Sequence, residues 1–170
     1  MNSPDGYAHV LFGEIEALLT RHGLSFADIN VFAAAAGPGS FTGVRVGLTA
    51  VKGFAEATGR KVAAVSNLRA VASFGTHALR AAIINARRGE IYGGVYDSAL
   101  NAVSEELVMP RVEWLAALPV DAEIVEVQGL LLAGAIGKIA ASHPELARDP
   151  AEIDANYVRR SDAELMWRDT

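Results

Sequence analysis

Residues 29–36, Ile-Asn-Val-Phe-Ala-Ala-Ala-Ala, are apolar at nearly every position and end abruptly at Gly37-Pro38-Gly39-Ser40-Phe41-Thr42-Gly43. A strand of that composition is covered on both faces, as in a sheet sandwiched between helices. Residues 44–58 then read as a helix with Gly59 as its stop, and residues 61–65 as a second buried strand. Ser66 is placed to cap a short helix carrying Leu68, Val71 and Ala72. Strand, helix and strand in this order predict an α/β layer with a parallel sheet. Aromatic residues make up only 7% of the chain, so the apolar weight rests on small side chains that allow helices close to a sheet.

The flanks extend the pattern. Ala8, Leu11, Phe12, Ile15, Leu18 and Leu19 are spaced as one face of a helix, and Gly23 stops it after Arg21 and His22. Beyond residue 78 the texture changes. Residues 79–86 and 90–96 are strand-like runs around Arg87-Arg88-Gly89, a hairpin pattern. A strand is expected at 107–109, a short helix at 112–118, a half-exposed strand at 123–127 and an apolar helix at 130–141. A boundary within 73–77 divides the chain into a first lobe, 1–75, and a second lobe with a charge-rich C-terminal segment, 76–170.

Composition removes several function classes. A chain of 170 residues, 51% hydrophobic, buries a core and is not disordered. No apolar run approaches the roughly 18 residues of a membrane span, and no apolar leader follows the polar start, so a cytoplasmic protein without a membrane partner is expected. With no cysteine there is no thiolate metal site and no cysteine nucleophile. Fifteen basic against twenty acidic residues give a net charge of -5, which argues against a broad nucleic-acid face. Arg87-Arg88 and Arg159-Arg160 are short basic pairs with no aromatic platform beside them.

Catalytic signatures fail in the same way. His9, His22, His77 and His143 are scattered, without the paired spacing of a metallopeptidase helix. There is no Gly-x-Ser-x-Gly elbow. Val44 follows Gly43 where a phosphate-binding Walker loop needs Lys, and Thr42 replaces the last glycine of a dinucleotide loop. No catalytic residue, metal ligand or cofactor is therefore assigned. Two readings of the glycine loop stand side by side. Gly37, Pro38, Gly39, Ser40, Phe41, Thr42 and Gly43, with Arg45, suit an anion at a helix N-terminus, or a tight turn in which Ser40 or Thr42 caps the helix.

The stretch from Gly37 to Ala72 closely resembles the signature of the bacterial TsaB family, also called YeaZ. It carries GPGSFTG, then Val44-Arg45-Val46-Gly47, a glycine-containing helix, a strand and Val65-Ser66-Asn67-Leu68. Ala86-Arg87-Arg88-Gly89-Glu90-Ile91-Tyr92 is similar to the family's D-A-R-x-G-E-V-Y block, with Asn85 where that block has Asp. Asn156-Tyr157-Val158-Arg159 is similar to its P-x-Y-L-R segment. The resemblance implies an actin-like, ribonuclease H-like α/β fold of two lobes. It also implies a non-catalytic subunit of the machinery that makes threonylcarbamoyladenosine at tRNA position 37. Its partners would be a TsaD homologue, a TsaE ATPase in the larger complex, a second copy when alone, and tRNA only through the complex. The other reading is an enzyme of the same superfamily, a nucleotide hydrolase or a glycoprotease-type peptidase.

In the family the first two helices form the contact with partners. Here Leu11, Phe12, Ile15 and Leu19 mark one face, and Val46, Gly47, Ala50 and Phe54 the other, with Val46, Ala50 and Phe54 expected near the centre. Glycines inside a helix cost about 1 kcal/mol each against Ala. Close approach of another backbone, from the sheet or from a partner, would account for them. The family's opening strands have no counterpart before residue 7, so the strand at 29–36 is expected to have an open edge.

Overall fold

A computed structural model describes residues 7–127 and 132–158. Its first half runs α1 (Tyr7–Arg21), β1 (Val31–Gly37), α2 (Phe41–Thr58), β2 (Lys61–Ser66) and α3 (Asn67–Ala72). The second half runs β3 (Leu79–Arg87), β4 (Glu90–Asp97), β5 (Leu107–Pro110), α4 (Arg111–Ala117), β6 (Glu123–Glu126), α5 (Ala133–Ser142) and β7 (Ala147–Arg148). Part of the helix expected at 130–141 lies outside the described residues, as do Arg159 and Arg160.

β1 and β2 are parallel, in register from Val31 opposite Lys61 to Ala35 opposite Val65, as the strand–helix–strand order requires. Alternation along β1 explains its unbroken apolar run. Phe32 and Ala34 join Val44, Leu48, Ala50, Phe54, Ala55 and Val62 in one core. Ala33 and Ala35 point to the opposite layer and pack on Val65, Ala70, Ile136 and Ile139. The first core is held by rings: Phe54 lies 5.1 Å from Phe12, 4.8 Å from Phe26 and 5.6 Å from Phe32, centroid to centroid. α2 begins at Phe41 rather than at the expected residue 44, because Ser40 caps it, its Oγ accepting from the Gly43 N–H at 3.2 Å. Gly59 ends it in the left-handed conformation, with φ 65°.

The second sheet has the order β5-β4-β3-β6, built wholly from residues 79–126. The β3–β4 hairpin turns through Arg87, Arg88 and Gly89, all with positive φ. Ala81, Ile83, Ile91 and Val95 meet Trp114 of α4 on one face; Ala82, Tyr96 and Val125 meet Leu68, Val71 and Ala72 of α3 on the other. α3 therefore lies between the two sheets. After α5 the chain returns to the first sheet, where β7 pairs antiparallel with β2. The first sheet thus draws strands from both sides of the boundary expected at 75/76. Among the described residues β2 is the one strand that pairs with β1, leaving the outer edge of β1 without a strand partner. No helix among them is long and apolar enough to cross a membrane.

Candidate functional site

The glycine loop lies at the C-terminal end of β1, where strand ends in α/β sheets place their functional loops. Gly37 has φ 100°, and a Cβ there would come within 3.0 Å of the Asn156 carbonyl, so both backbone angle and space require glycine. The Asn67 side-chain amide fixes the next residue, donating to the Pro38 carbonyl at 3.0 Å. Loop, hairpin and C-terminal segment enclose a cavity of about 650 Å³, lined among others by Ser40, Phe41, Asn85, Arg87, Asn156 and Tyr157.

The C-terminal segment runs back along α2. The Lys52 ammonium donates to the Ile153 carbonyl at 2.7 Å, and the Asn156 N–H to the Ala36 carbonyl at 2.8 Å. Arg45 Nε donates to the Tyr157 hydroxyl at 2.9 Å, while its guanidinium carbon lies 3.6 Å from the centre of the Phe41 ring. Phe41 and Tyr157 approach to 5.9 Å. Arg45 therefore ties the helix start to the tail through a cation–π contact and a hydrogen bond. Ser40 caps α2, so in the described geometry the loop is a tight capped turn.

A second cluster, unforeseen in the sequence, stands behind the loop. The Glu106 carboxylate accepts hydrogen bonds from the Ser66 and Tyr96 hydroxyls through one oxygen. Through the other it accepts from the Asn156 side-chain amide at 2.5 Å. Tyr96 is buried, and burial together with the Glu106 charge pushes its phenol far above the usual range, so it stays a donor. Gly94 leaves room for the pair: a Cβ there would meet the Tyr96 ring at 3.1 Å and Glu106 Cγ at 3.3 Å.

The helical faces divide into core and surface. Ala50 and Phe54, expected near the centre of an interface, are 8% and 9% exposed inside the chain's own core, where Phe54 stacks against Phe32. Leu11 and Ile15 pack partly against the same core. Leu19, Val46 and Gly47 are half-buried. Phe12 and Leu18, 56% and 50% exposed, carry the open apolar surface of α1. Cβ atoms at Gly13, Gly47 and Gly53 would meet nothing within 4 Å, so no contact among the described residues accounts for these helical glycines.

Comparison with known proteins decides the family. The family described as TsaD: tRNA N6-adenosine threonylcarbamoyltransferase matches residues 6–134. The tRNA threonylcarbamoyladenosine biosynthesis protein TsaB of Bacillus subtilis is 30% identical over 183 aligned positions, covering 90% of this chain and 80% of that protein. The chain belongs to the TsaB (YeaZ) family. The TsaB of Escherichia coli is 37% identical over 109 positions, 58% of this chain and 46% of that one. A solved Pseudomonas aeruginosa protein with similarity to peptidase YEAZ superposes with a TM-score of 0.76 at 25% identity, covering 92% of this chain and 86% of that one. The actin-like two-lobe α/β fold follows from these matches.

The motifs that mark a TsaB chain are far apart in sequence and joined here in space. Phe41 and Arg45 of the first motif touch Tyr157 of the last. Asn85, in the hairpin motif, uses its carbonyl to accept from the Arg87 N–H at 2.7 Å and so supports the turn. Asp28 and Asp97 have local partners. Asp28 is held below its ordinary pKa by hydrogen bonds from Ser25, and Asp97 by hydrogen bonds from Asn101. His143 bridges the end of α5 to the Ala99 carbonyl at 3.3 Å. Among the described residues no three His, Cys, Asp or Glu side chains gather closely enough to hold a metal ion.

Proposed function

We propose that this chain serves tRNA threonylcarbamoyladenosine biosynthesis as a non-catalytic subunit, docking a TsaD-type subunit through the exposed surface of α1 and α2. The carrying observation is the pair of helices whose glycines face open space beside Phe12 and Leu18. A glycine inside a helix at a cost of about 1 kcal/mol, with no described residue of its own chain within 4 Å of a Cβ there, suits the close approach of a partner backbone. The names of the relatives supply the pathway: the Bacillus subtilis protein is a tRNA threonylcarbamoyladenosine biosynthesis protein. The same surface serves a second copy when the TsaD-type subunit is absent, and the TsaE-type ATPase and tRNA join through the complex rather than through this chain. The glycine loop acts as a positioning turn for α2, and anion binding there is secondary.

Size exclusion of the purified chain with its TsaD-type subunit tests the reading. A co-eluting complex at micromolar concentration is expected, and Leu18→Arg or Val46→Arg should disperse it. Ala50 and Phe54 are unsuitable targets because their replacement injures the core. Separate elution of the two unaltered subunits would overturn the docking assignment.

A further inference from the structure

We propose that Glu106 is a positioning residue that latches the C-terminal segment onto the glycine loop and thereby fixes the start of α2. The inference about docking rests on the function proposed above; the latch itself does not. Glu106 belongs to the link between β4 and β5, yet its carboxylate gathers donors from three separate parts of the chain. Ser66 ends β2 and caps α3, accepting from the Leu68 and Arg69 N–H groups. Tyr96 belongs to β4, and Asn156 to the segment beyond β7. One side chain therefore ties the first sheet, the second sheet and the tail together.

The three bonds are not equivalent. Ser66 and Tyr96 sit on regular elements that neighbouring strands and helices hold in place. Asn156 sits in a segment without helix or strand, and its side chain is the segment's link to Glu106. From Asn156 the segment reaches α2 at three levels: Ile153 at Lys52, Tyr157 at Arg45, and the Tyr157 ring beside Phe41. The Asn156 N–H also donates to the Ala36 carbonyl, so loss of the side-chain bond loosens Tyr157, and with it the cover of Arg45 and Phe41 at the first turns of α2, without detaching the segment. An acceptor with two charged oxygens suits three donors, since hydrogen bonds to charged groups are the stronger ones.

A polarity swap separates a latch from general support. Asn156→Asp sets two carboxylates face to face while leaving the Ser66 and Tyr96 bonds intact. Glu106→Gln in that background restores a donor–acceptor pair, because the new amide donates to the new carboxylate. Amide exchange of the isolated chain is the readout. Asn156→Asp should speed exchange at residues 153–158 by about tenfold or more, with residues 79–97 unchanged, and the double variant should return it to near the parent rate. Unaltered exchange in Asn156→Asp, or no recovery in the double variant, would overturn the latch. Affinity for the TsaD-type subunit is then measured on the same three proteins. It should fall and recover in step with exchange. Recovery of exchange without any change in affinity would separate the latch from docking and overturn its proposed effect on α2. A parent chain that binds no TsaD-type subunit defeats the proposed function and leaves the exchange result standing.

Discussion

Around the second sheet, glycines make room for large side chains: a Cβ at Gly93 would come within 2.5 Å of the Trp114 ring, and one at Gly75 within 2.8 Å of Glu123 and Val125. On α1 and α2, beside the first sheet, Gly13, Gly47 and Gly53 border empty space. The same residue type thus serves closure in one region and openness in the other. Exposed apolar residues occur in both regions: Phe12, Leu18, Leu24 and Phe41 in or next to α1 and α2, and Val103, Val112, Val120 and Ile124 around the second sheet. The second sheet has α3 on one face and α4 on the other. Both sheets end in open edge strands among the described residues, and beside the first lie Phe12 and Leu18 of α1, both exposed. The difference between the two regions therefore lies in their glycines, packed at Gly75 and Gly93 and open at Gly13, Gly47 and Gly53.

The contrast can be broken most sharply at Gly93. Gly93→Ala forces the Trp114 ring out of place and should cost about 2–3 kcal/mol in urea denaturation. A smaller loss would mean that α4 yields easily and that the second sheet is less tightly closed. Gly47→Ala should act in the opposite direction, raising stability by about 0.5–1 kcal/mol, since the new methyl meets nothing and the helix gains propensity. Destabilisation there would show a contact within the chain and remove the argument from open glycines.

A local effect is expected at Glu123. Its Oε2 accepts from the Thr76 and His77 N–H groups at 2.6 and 2.8 Å, and those bonds hold its carboxyl below the ordinary range. A depressed folded value means that its stabilising contribution is complete above the ordinary carboxyl range and is lost as pH falls through the lower folded value. The protection of the Thr76 and His77 amides, measured against their intrinsic exchange rates, should therefore fall on acidification through that window, and Glu123→Gln should remove the pH dependence of that protection. A flat acid profile in the parent chain would show that the link to β6 does not depend on this charge.

Much of this arrangement was legible in the sequence, for physical reasons that differ by region. The run at 29–36 announced a strand covered on both faces, and Ala33 and Ala35 do pack opposite Phe32 and Ala34. Ser66 announced its helix, and Arg87-Arg88-Gly89 its hairpin turn. α2 starts three residues before the expected position, because Ser40 and Thr42 are both plausible caps in the sequence and only geometry selects Ser40. β7 escaped notice because two residues carry no periodicity. Glu106 was invisible for another reason: its partners lie 40, 10 and 50 residues away, and nothing in Ser104-Glu105-Glu106 distinguishes one solvated acid from another. The helical faces were found, but spacing alone could not say that Phe54 turns inward while Phe12 and Leu18 stay exposed.

The central claim is that α2 presents its open glycines to a partner. Gly47→Leu tests it when thermal stability and affinity for the TsaD-type subunit are measured on one preparation. The account predicts an unchanged or higher melting temperature, since Leu is the better helix former, with affinity weakened about tenfold or more as the side chain blocks backbone approach. Unchanged affinity at unchanged stability would contradict it.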